Sequence, residues 1–131
     1  MLTARDIMTE NVTTIRPTAT VQQAIETLLS ERISGLPVLD ERDRLVGIVT
    51  EFALLAVAYD DSVMRDTVAQ HMTTDLLTVE ASDPIRKVAD LCLVHRVRRV
   101  PVMDRGRLAG LISRGDVLRA VFHSREPALA T

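Results

Sequence analysis

The feature that most constrains this chain is that its 131 residues carry one pattern twice. Pro37-Val38-Leu39-Asp40 returns 64 positions later as Pro101-Val102-Met103-Asp104. The same spacing pairs Met8-Thr9 with Met72-Thr73, Thr14-Ile15 with Thr78-Val79, and Arg32 with Arg96. A unit of roughly 50 residues buries only a modest share of its surface, so two copies packed together are the natural solution.

Within each copy the apolar residues fix the elements. Val21, Ala24, Ile25, Leu28 and Leu29 fall on one face of a helix, and Ile85, Val88, Ala89, Cys92 and Leu93 repeat that spacing. Thr20 with Gln23 reads as a capping box, and Asp83-Pro84 as a cap followed by a proline in the first turn. Beyond each helix come two short apolar runs, Leu36 to Leu39 with Leu45 to Val49, and Val100 to Met103 with Leu108 to Ile112. Their length and β-branched content predict buried strands. The turns between them are polar, and the second is one residue shorter, a change that a surface turn tolerates. A further helix follows each pair, with Leu54, Leu55, Ala58 and Tyr59 matching Val117, Leu118, Val121 and Phe122. With short strands at 13–15 and 77–79, each repeat reads β-α-β-β-α. The expected organisation is repeat 1 over 1–59, a linker over 60–70 that is polar except for Val63, Met64 and Val68, repeat 2 over 71–123, and a poorly ordered tail over 124–131.

Composition removes several classes of function. Aromatic residues make up only 2% of the chain, which argues against stacking platforms for single-stranded nucleic acid. Cys92 is the lone cysteine, so there is no internal disulfide and no cysteine-ligated zinc site. The longest apolar run, Phe52 to Tyr59, is far short of the roughly 20 residues that span a bilayer. No signal peptide is evident either, so a cytoplasmic protein is expected. Residues 1–64 carry a net charge of −5 and residues 65–131 a net +3. With no long Lys/Arg run, the basic half suits a small anion better than DNA. His71, His95 and His123 lack metal-ligand spacing, and no Ser-His-Asp grouping, defined carboxylate pair or Walker-type glycine loop appears. No catalytic machinery is in view, and an enzyme is not expected.

The β-α-β-β-α repeat, the Met-Thr before the first strand, the Pro-Val in the second and the segment Gly110 to Asp116 resemble tandem CBS domains, the module named after cystathionine β-synthase. The resemblance covers about residues 5–122. It implies an α+β fold in which two repeats pack sheet against sheet with pseudo-twofold symmetry and helices outside. It further implies a regulatory module that holds an adenine nucleotide (AMP, ADP or ATP, less so NAD(H) or S-adenosylmethionine) between the repeats and acts on an unknown effector protein. Such modules commonly pair into a flat disc. Here the first repeat's final helix adds Phe52, Ala53, Ala56 and Val57 to its stripe, and apolar residues nearly all round point to a homodimer.

Candidate site residues cluster in the second repeat. Gly110-Leu111-Ile112-Ser113-Arg114-Gly115-Asp116 fits the family motif of glycine, apolar residue, any residue, Ser or Thr, two further residues, then Asp or Asn. A carboxylate can accept two hydrogen bonds from a ribose diol, and a Ser at a helix N-terminus has free N–H neighbours that favour phosphate. By resemblance, Asp116 holds ribose, Ser113 the ribose–phosphate side, and Leu111 lines the base pocket. Arg98 and Arg99, with Arg114, are placed to meet phosphates. The same residues read equally as an N-cap with its first-turn acid, and as a solubilising or ion-paired edge. In the first repeat Gly47-Ile48-Val49-Thr50 fits, but Ala53 replaces the acid and Ser34-Gly35 replaces the arginines. One competent site per chain is expected. A ligand-free dimerisation or interaction module is the alternative reading.

Overall fold

The structure, a computed structural model, describes residues 1–129, with side chains to Ser124. The chain folds as a mixture of helices and small sheets, in two compact units. One is continuous, Thr13–Leu76. The other is split, Met1–Val12 with Leu77–Thr131. Each is described in turn.

The split unit opens with a short helix, α1 (Ala4–Ile7). The continuous unit follows with α2 (Val21–Glu31), β1 (Gly35–Leu39), β2 (Leu45–Thr50) and α3 (Glu51–Leu55). Thr20 and Gln23 close the predicted capping box: the Gln23 N–H donates to Thr20 Oγ1 at 3.1 Å and the Thr20 N–H to Gln23 Oε1 at 2.9 Å. The helix ends at Arg32, in the left-handed conformation with φ 55°. Antiparallel β1 and β2 pair Pro37 with Ile48 and Val38 with Gly47. Ile15 bridges Val38 in parallel, which reduces the predicted first strand to a single pairing. Val21, Ala24, Leu28, Leu36, Val38, Val49, Leu54 and Val68 form the core.

The split unit repeats this plan with β3 (Val79–Glu80), α4 (Ile85–His95), β4 (Arg99–Asp104), β5 (Arg107–Ser113) and α5 (Arg114–Leu129). Strand β3 pairs in parallel with β4, and β4 in antiparallel with β5. Arg96 ends α4 with φ 54°, so the matched pair Arg32 and Arg96 marks two equivalent left-handed helix stops. The shorter hairpin turns on Arg105 and Gly106, both at positive φ, as a two-residue turn between twisted strands requires. Its core is Ala4, Val79, Ala81, Val88, Cys92, Val100, Val102, Ile112 and Val117. Cys92 thus occupies the place that Leu28 fills in the other unit. Burial pushes its thiol above the ordinary value against the opposing pull of Arg114.

Four local expectations change. Pro84, not Asp83, precedes α4 as its cap; Asp83 instead accepts from the Glu80 N–H at 2.8 Å and pairs with Lys87 at 3.2 Å. Leu29 and Leu93, last in their predicted stripes, are exposed. Helix α3 is only five residues long: after it the N–H groups of Val57, Ala58 and Asp60 bond three residues back, and the Asp60 side chain, accepting from the Ser62 N–H at 3.0 Å, then caps a new 3₁₀ turn, Asp61–Arg65. Leu55 and Tyr59 are exposed, as are their counterparts Leu118 and Phe122 on the longer α5, while Leu54 is buried. The tail expected to be poorly ordered falls mostly on residues 125–131; its side chains from 125, and all of 130 and 131, lie outside the described residues.

The stretch 60–70 holds more than a connection. Thr67 and Gln70 form a capping box, as do Thr3 and Asp6 exactly one repeat earlier in sequence. Buried Val68 answers to buried Ala4, and Met72-Thr73 to Met8-Thr9. The segment is therefore the second copy of an N-terminal arm. The N–H and C=O of Thr73 both bond Ile48 of β2, at 2.8 and 2.9 Å; those of Thr9 both bond Leu111 of β5, at 2.9 and 3.0 Å. Each arm adds a rung to the strand that carries the motif glycine. The first arm belongs to the second repeat's unit, and the second arm to the first repeat's.

Gly110 and Gly47 make this approach possible. A Cβ on Gly110 would lie 2.5 Å from Met8 Sδ and 2.9 Å from the Thr9 carbonyl oxygen; on Gly47 it would lie 2.6 Å from Met72 Sδ and 3.0 Å from the Thr73 oxygen. The methionine can swing aside, but the carbonyl is fixed by the bridge. Gly110→Ala should therefore cost about 1–3 kcal/mol in urea unfolding. A second expectation concerns acid. Hydrogen bonds from Thr3 hold the Asp6 carboxyl below its ordinary value, the Arg44 backbone does so for Asp40, and Ser62 for Asp60. Depressed carboxylates stabilise the fold above the unfolded value of 3.8 and lose that contribution as pH falls through the folded ones. The melting temperature should hold above pH 5 and fall as pH drops below about 4.

Candidate functional site

The junction between β5 and α5 arises because the strand's last residue is also the helix's cap. The Asp116 N–H donates to Ser113 Oγ at 3.1 Å, and the Ser113 N–H donates to Asp116 Oδ2 at 2.9 Å. This reciprocal pair satisfies two backbone donors that a helix start leaves open. The other carboxylate oxygen, Oδ1, accepts from Arg119 at 2.9 Å. Asp116 is only partly exposed, with both oxygens already engaged and one lone pair still available on each.

Strand register assembles the neighbours. Arg99 lies opposite Ser113, and Pro101 opposite Leu111. Alternation along the strands puts Arg99, Leu111 and Ser113 on one face and the buried Val100 and Ile112 on the other. The Arg114 N–H donates to the Arg98 carbonyl at 2.9 Å, tying the start of α5 to the chain entering β4. Arg98 and Arg114 are exposed and Arg99 half-buried. The six candidate residues, Arg98, Arg99, Leu111, Ser113, Arg114 and Asp116, therefore gather at one end of the β4–β5 hairpin. Arg114 opens the helix while Arg98 and Arg99 lead into the strand beside it, so three basic residues meet at that end, which suits a polyanion.

The first repeat builds the same junction without the charge. The Ala53 N–H donates to Thr50 Oγ1 at 3.2 Å, and the Glu51 N–H to the Ser34 carbonyl at 3.0 Å. Nothing at position 53 can accept, and Glu51 is exposed where Arg114 stands in the second repeat. Two residues built into the second junction escaped the sequence reading. Arg119 was marked only by its three-residue spacing from Asp116, a spacing that brings side chains together on a helix. Thr9 was marked only as part of the repeated Met-Thr. Among the described residues no group of three or more His, Cys, Asp or Glu could hold a metal ion, and no helix is long and apolar enough to cross a membrane.

Comparison with known proteins agrees with this anatomy. The CBS domain family profile matches residues 4–60 and 68–123. The chain is similar to CBSX1 of Arabidopsis thaliana, a chloroplastic CBS domain-containing protein, at 32% identity over 86% of the chain and 60% of the relative. It is also similar to an inosine-5'-monophosphate dehydrogenase of Methanocaldococcus jannaschii, at 32% identity over 88% of the chain but 23% of the enzyme. The chain thus spans less than two thirds of these relatives' length. Among solved structures, CBSX2 of Arabidopsis thaliana in complex with AMP superposes with a TM-score of 0.85 at 32% identity, covering 95% of this chain and 99% of that one. The likeness to the dehydrogenase is confined to its CBS region, and pairs of this kind are regulatory rather than catalytic.

The junction also has a structural role that any functional test must separate. Without ligand, Asp116→Ala should lower stability by about 1 kcal/mol, through loss of the reciprocal cap and the Arg119 pair. Asp116→Asn, which keeps an acceptor for the Ser113 N–H, should lose only part of that; chemical unfolding of both variants checks it.

Proposed function

The chain belongs to the CBS domain family, and on that premise we propose that it is a regulatory sensor of an adenine nucleotide that acts, as a homodimer in the cytoplasm, on an effector protein. The observation that carries this reading is the asymmetry between two otherwise equivalent junctions. Only the second holds a carboxylate that closes the cap, Asp116, beside three arginines, whereas the first has Ala53 there and the exposed Glu51 in place of Arg114. In this reading the free lone pairs of Asp116 accept the ribose diol, and Ser113 Oγ binds on the ribose–phosphate side. Leu111 lines the base pocket, and Arg98, Arg99 and Arg114 compensate phosphate charge. The AMP complex of CBSX2, a structural relative at 32% identity, supports the ligand class. Regulation then requires that nucleotide bind one conformation better than another, since only differential affinity shifts an equilibrium.

A second reading, a ligand-free interaction module, is favoured by the exposed Phe52, Leu55, Leu118 and Phe122. Thermal unfolding with AMP, ADP, ATP, NAD(H) and S-adenosylmethionine separates the two. A ligand at 100 times its dissociation constant adds about 2.7 kcal/mol, a rise of several degrees. Because Asp116→Ala lowers the baseline by itself, the readout is the ligand-dependent increment, expected in wild type and lost in the variant. No increment with any nucleotide at millimolar concentration would leave the interaction module as the function.

A further inference from the structure

The Asp116 carboxylate is held from both sides. Its Oδ2 accepts from the Ser113 N–H at 2.9 Å, and its Oδ1 from the Arg119 Nη2 at 2.9 Å. The two bonds do different work. An aspartate turns easily about its Cβ–Cγ bond, because that terminal torsion has only broad, two-fold preferences. The Ser113 bond places one oxygen and still leaves the carboxylate plane to swing about it. A second bond, on the other oxygen, sets the plane. Arg119 supplies it from three residues further along α5, where helical side chains meet.

The first repeat shows that acid and arginine come as a unit. Counted from the junction hydroxyls, Thr50 and Ser113, Asp116 corresponds to Ala53 and Arg119 to Ala56. Where the acid is missing, its holder is missing too. The hydroxyl cap forms there without either, the Ala53 N–H donating to Thr50 Oγ1 at 3.2 Å. An exposed ion pair adds little to stability, and the Arg119 side chain is 64% exposed.

We propose that Arg119 is a positioning residue: it sets the plane of Asp116 so that the free lone pairs of both oxygens meet a ribose diol together. It thereby decides how strongly the site prefers a ribonucleotide to its 2′-deoxy counterpart. This inference rests on the nucleotide reading and adds the residue that makes its sugar contact selective. A diol presents two hydroxyl groups at a fixed spacing, and a carboxylate already set to accept both loses little freedom on binding. A 2′-deoxy sugar offers one hydroxyl at most, and gains little from a fixed plane. Arg119 is the sixth residue of α5, roughly 7.5 Å along the axis from Arg114. That is beyond the first-turn N–H groups that suit phosphate, so its part is with the acid that reads the sugar.

Calorimetric titration of AMP, 2′-deoxy-AMP and ATP into wild type, Arg119→Ala and Arg119→Lys tests this. All three proteins keep the bonds between Ser113 and Asp116, so the junction stays formed. Wild type should prefer AMP to 2′-deoxy-AMP. Arg119→Ala should weaken AMP about 3- to 10-fold, the range expected for ordering one more side chain on binding. It should leave 2′-deoxy-AMP nearly unchanged, so the ribose preference collapses while the ratio of ATP to AMP affinity holds. Arg119→Lys, which keeps a cation and a donor, should restore part of the preference. Equal weakening of AMP and 2′-deoxy-AMP would show a structural role only and overturn the proposal. A fall in the ATP to AMP ratio, with the ribose preference intact, would assign Arg119 to phosphate and overturn it as well. A wild type that binds AMP and 2′-deoxy-AMP equally would overturn the diol contact, and Arg119's part with it, while leaving a nucleotide sensor standing. A wild type that binds none of the three at millimolar concentration would overturn the nucleotide reading itself, and the proposal with it.

Discussion

The rest of the structure depends on a backbone approach that only glycine permits. At Gly110 and again at Gly47, a Met-Thr segment crosses the second hairpin strand closely enough that a single methyl group would meet a fixed carbonyl. The bridges formed there turn each arm into a rung of the sheet. They also bring Ala4 and Val68 into cores that the hairpins and helices leave open. The arm of each repeat serves the unit of the other. The second strand of each hairpin can then run straight from its bridge into the junction where Ser113 or Thr50 caps the following helix. Without that rung, the strand end that positions Ser113 and Leu111 would be a free edge.

On this shared scaffold, the two junctions differ by a handful of side chains. Both junctions keep the hydroxyl cap, and both keep the hydrogen bond from the helix start to the residue before the hairpin. What differs is charge. Asp116, Arg98, Arg99 and Arg114 face Ala53, Ser34, Gly35 and Glu51 at the matching positions. The capping bonds explain why Ser113 and Asp116 suit the fold without any ligand. They also explain why the same pair can be recruited: the reciprocal bonds fix the carboxylate in place while leaving one lone pair on each oxygen. A group already oriented by its own helix loses little freedom on binding.

Much of this could be read along the chain, wherever the deciding interactions are local. The capping box of Thr20 and Gln23, the paired apolar runs and the polar hairpin turns all declare themselves within a few residues. The unit 60–70 shows the limit. Its three apolar residues, Val63, Met64 and Val68, looked like exceptions in a linker, yet Val68 is buried and the others pack beside it. The arm bonds a strand about 25 residues back, and periodicity cannot name a distant partner. Competition between caps is similarly invisible. Asp60 fell in the expected linker, yet its side chain caps a 3₁₀ turn there, and α3 ends after five residues. Asp83 looked like a cap and proved to be a turn acceptor.

The sequence by itself determined the repeat, its β-α-β-β-α order, the family and the asymmetry of charge between the two junctions, because each is written in residue identity and short-range spacing. Tertiary structure alone decided which arm lies across which strand, that Cys92 fills a core position, and that Val68 of the expected linker is buried. Those outcomes depend on contacts between residues far apart in the chain, and on which of several available donors reaches a given acceptor first.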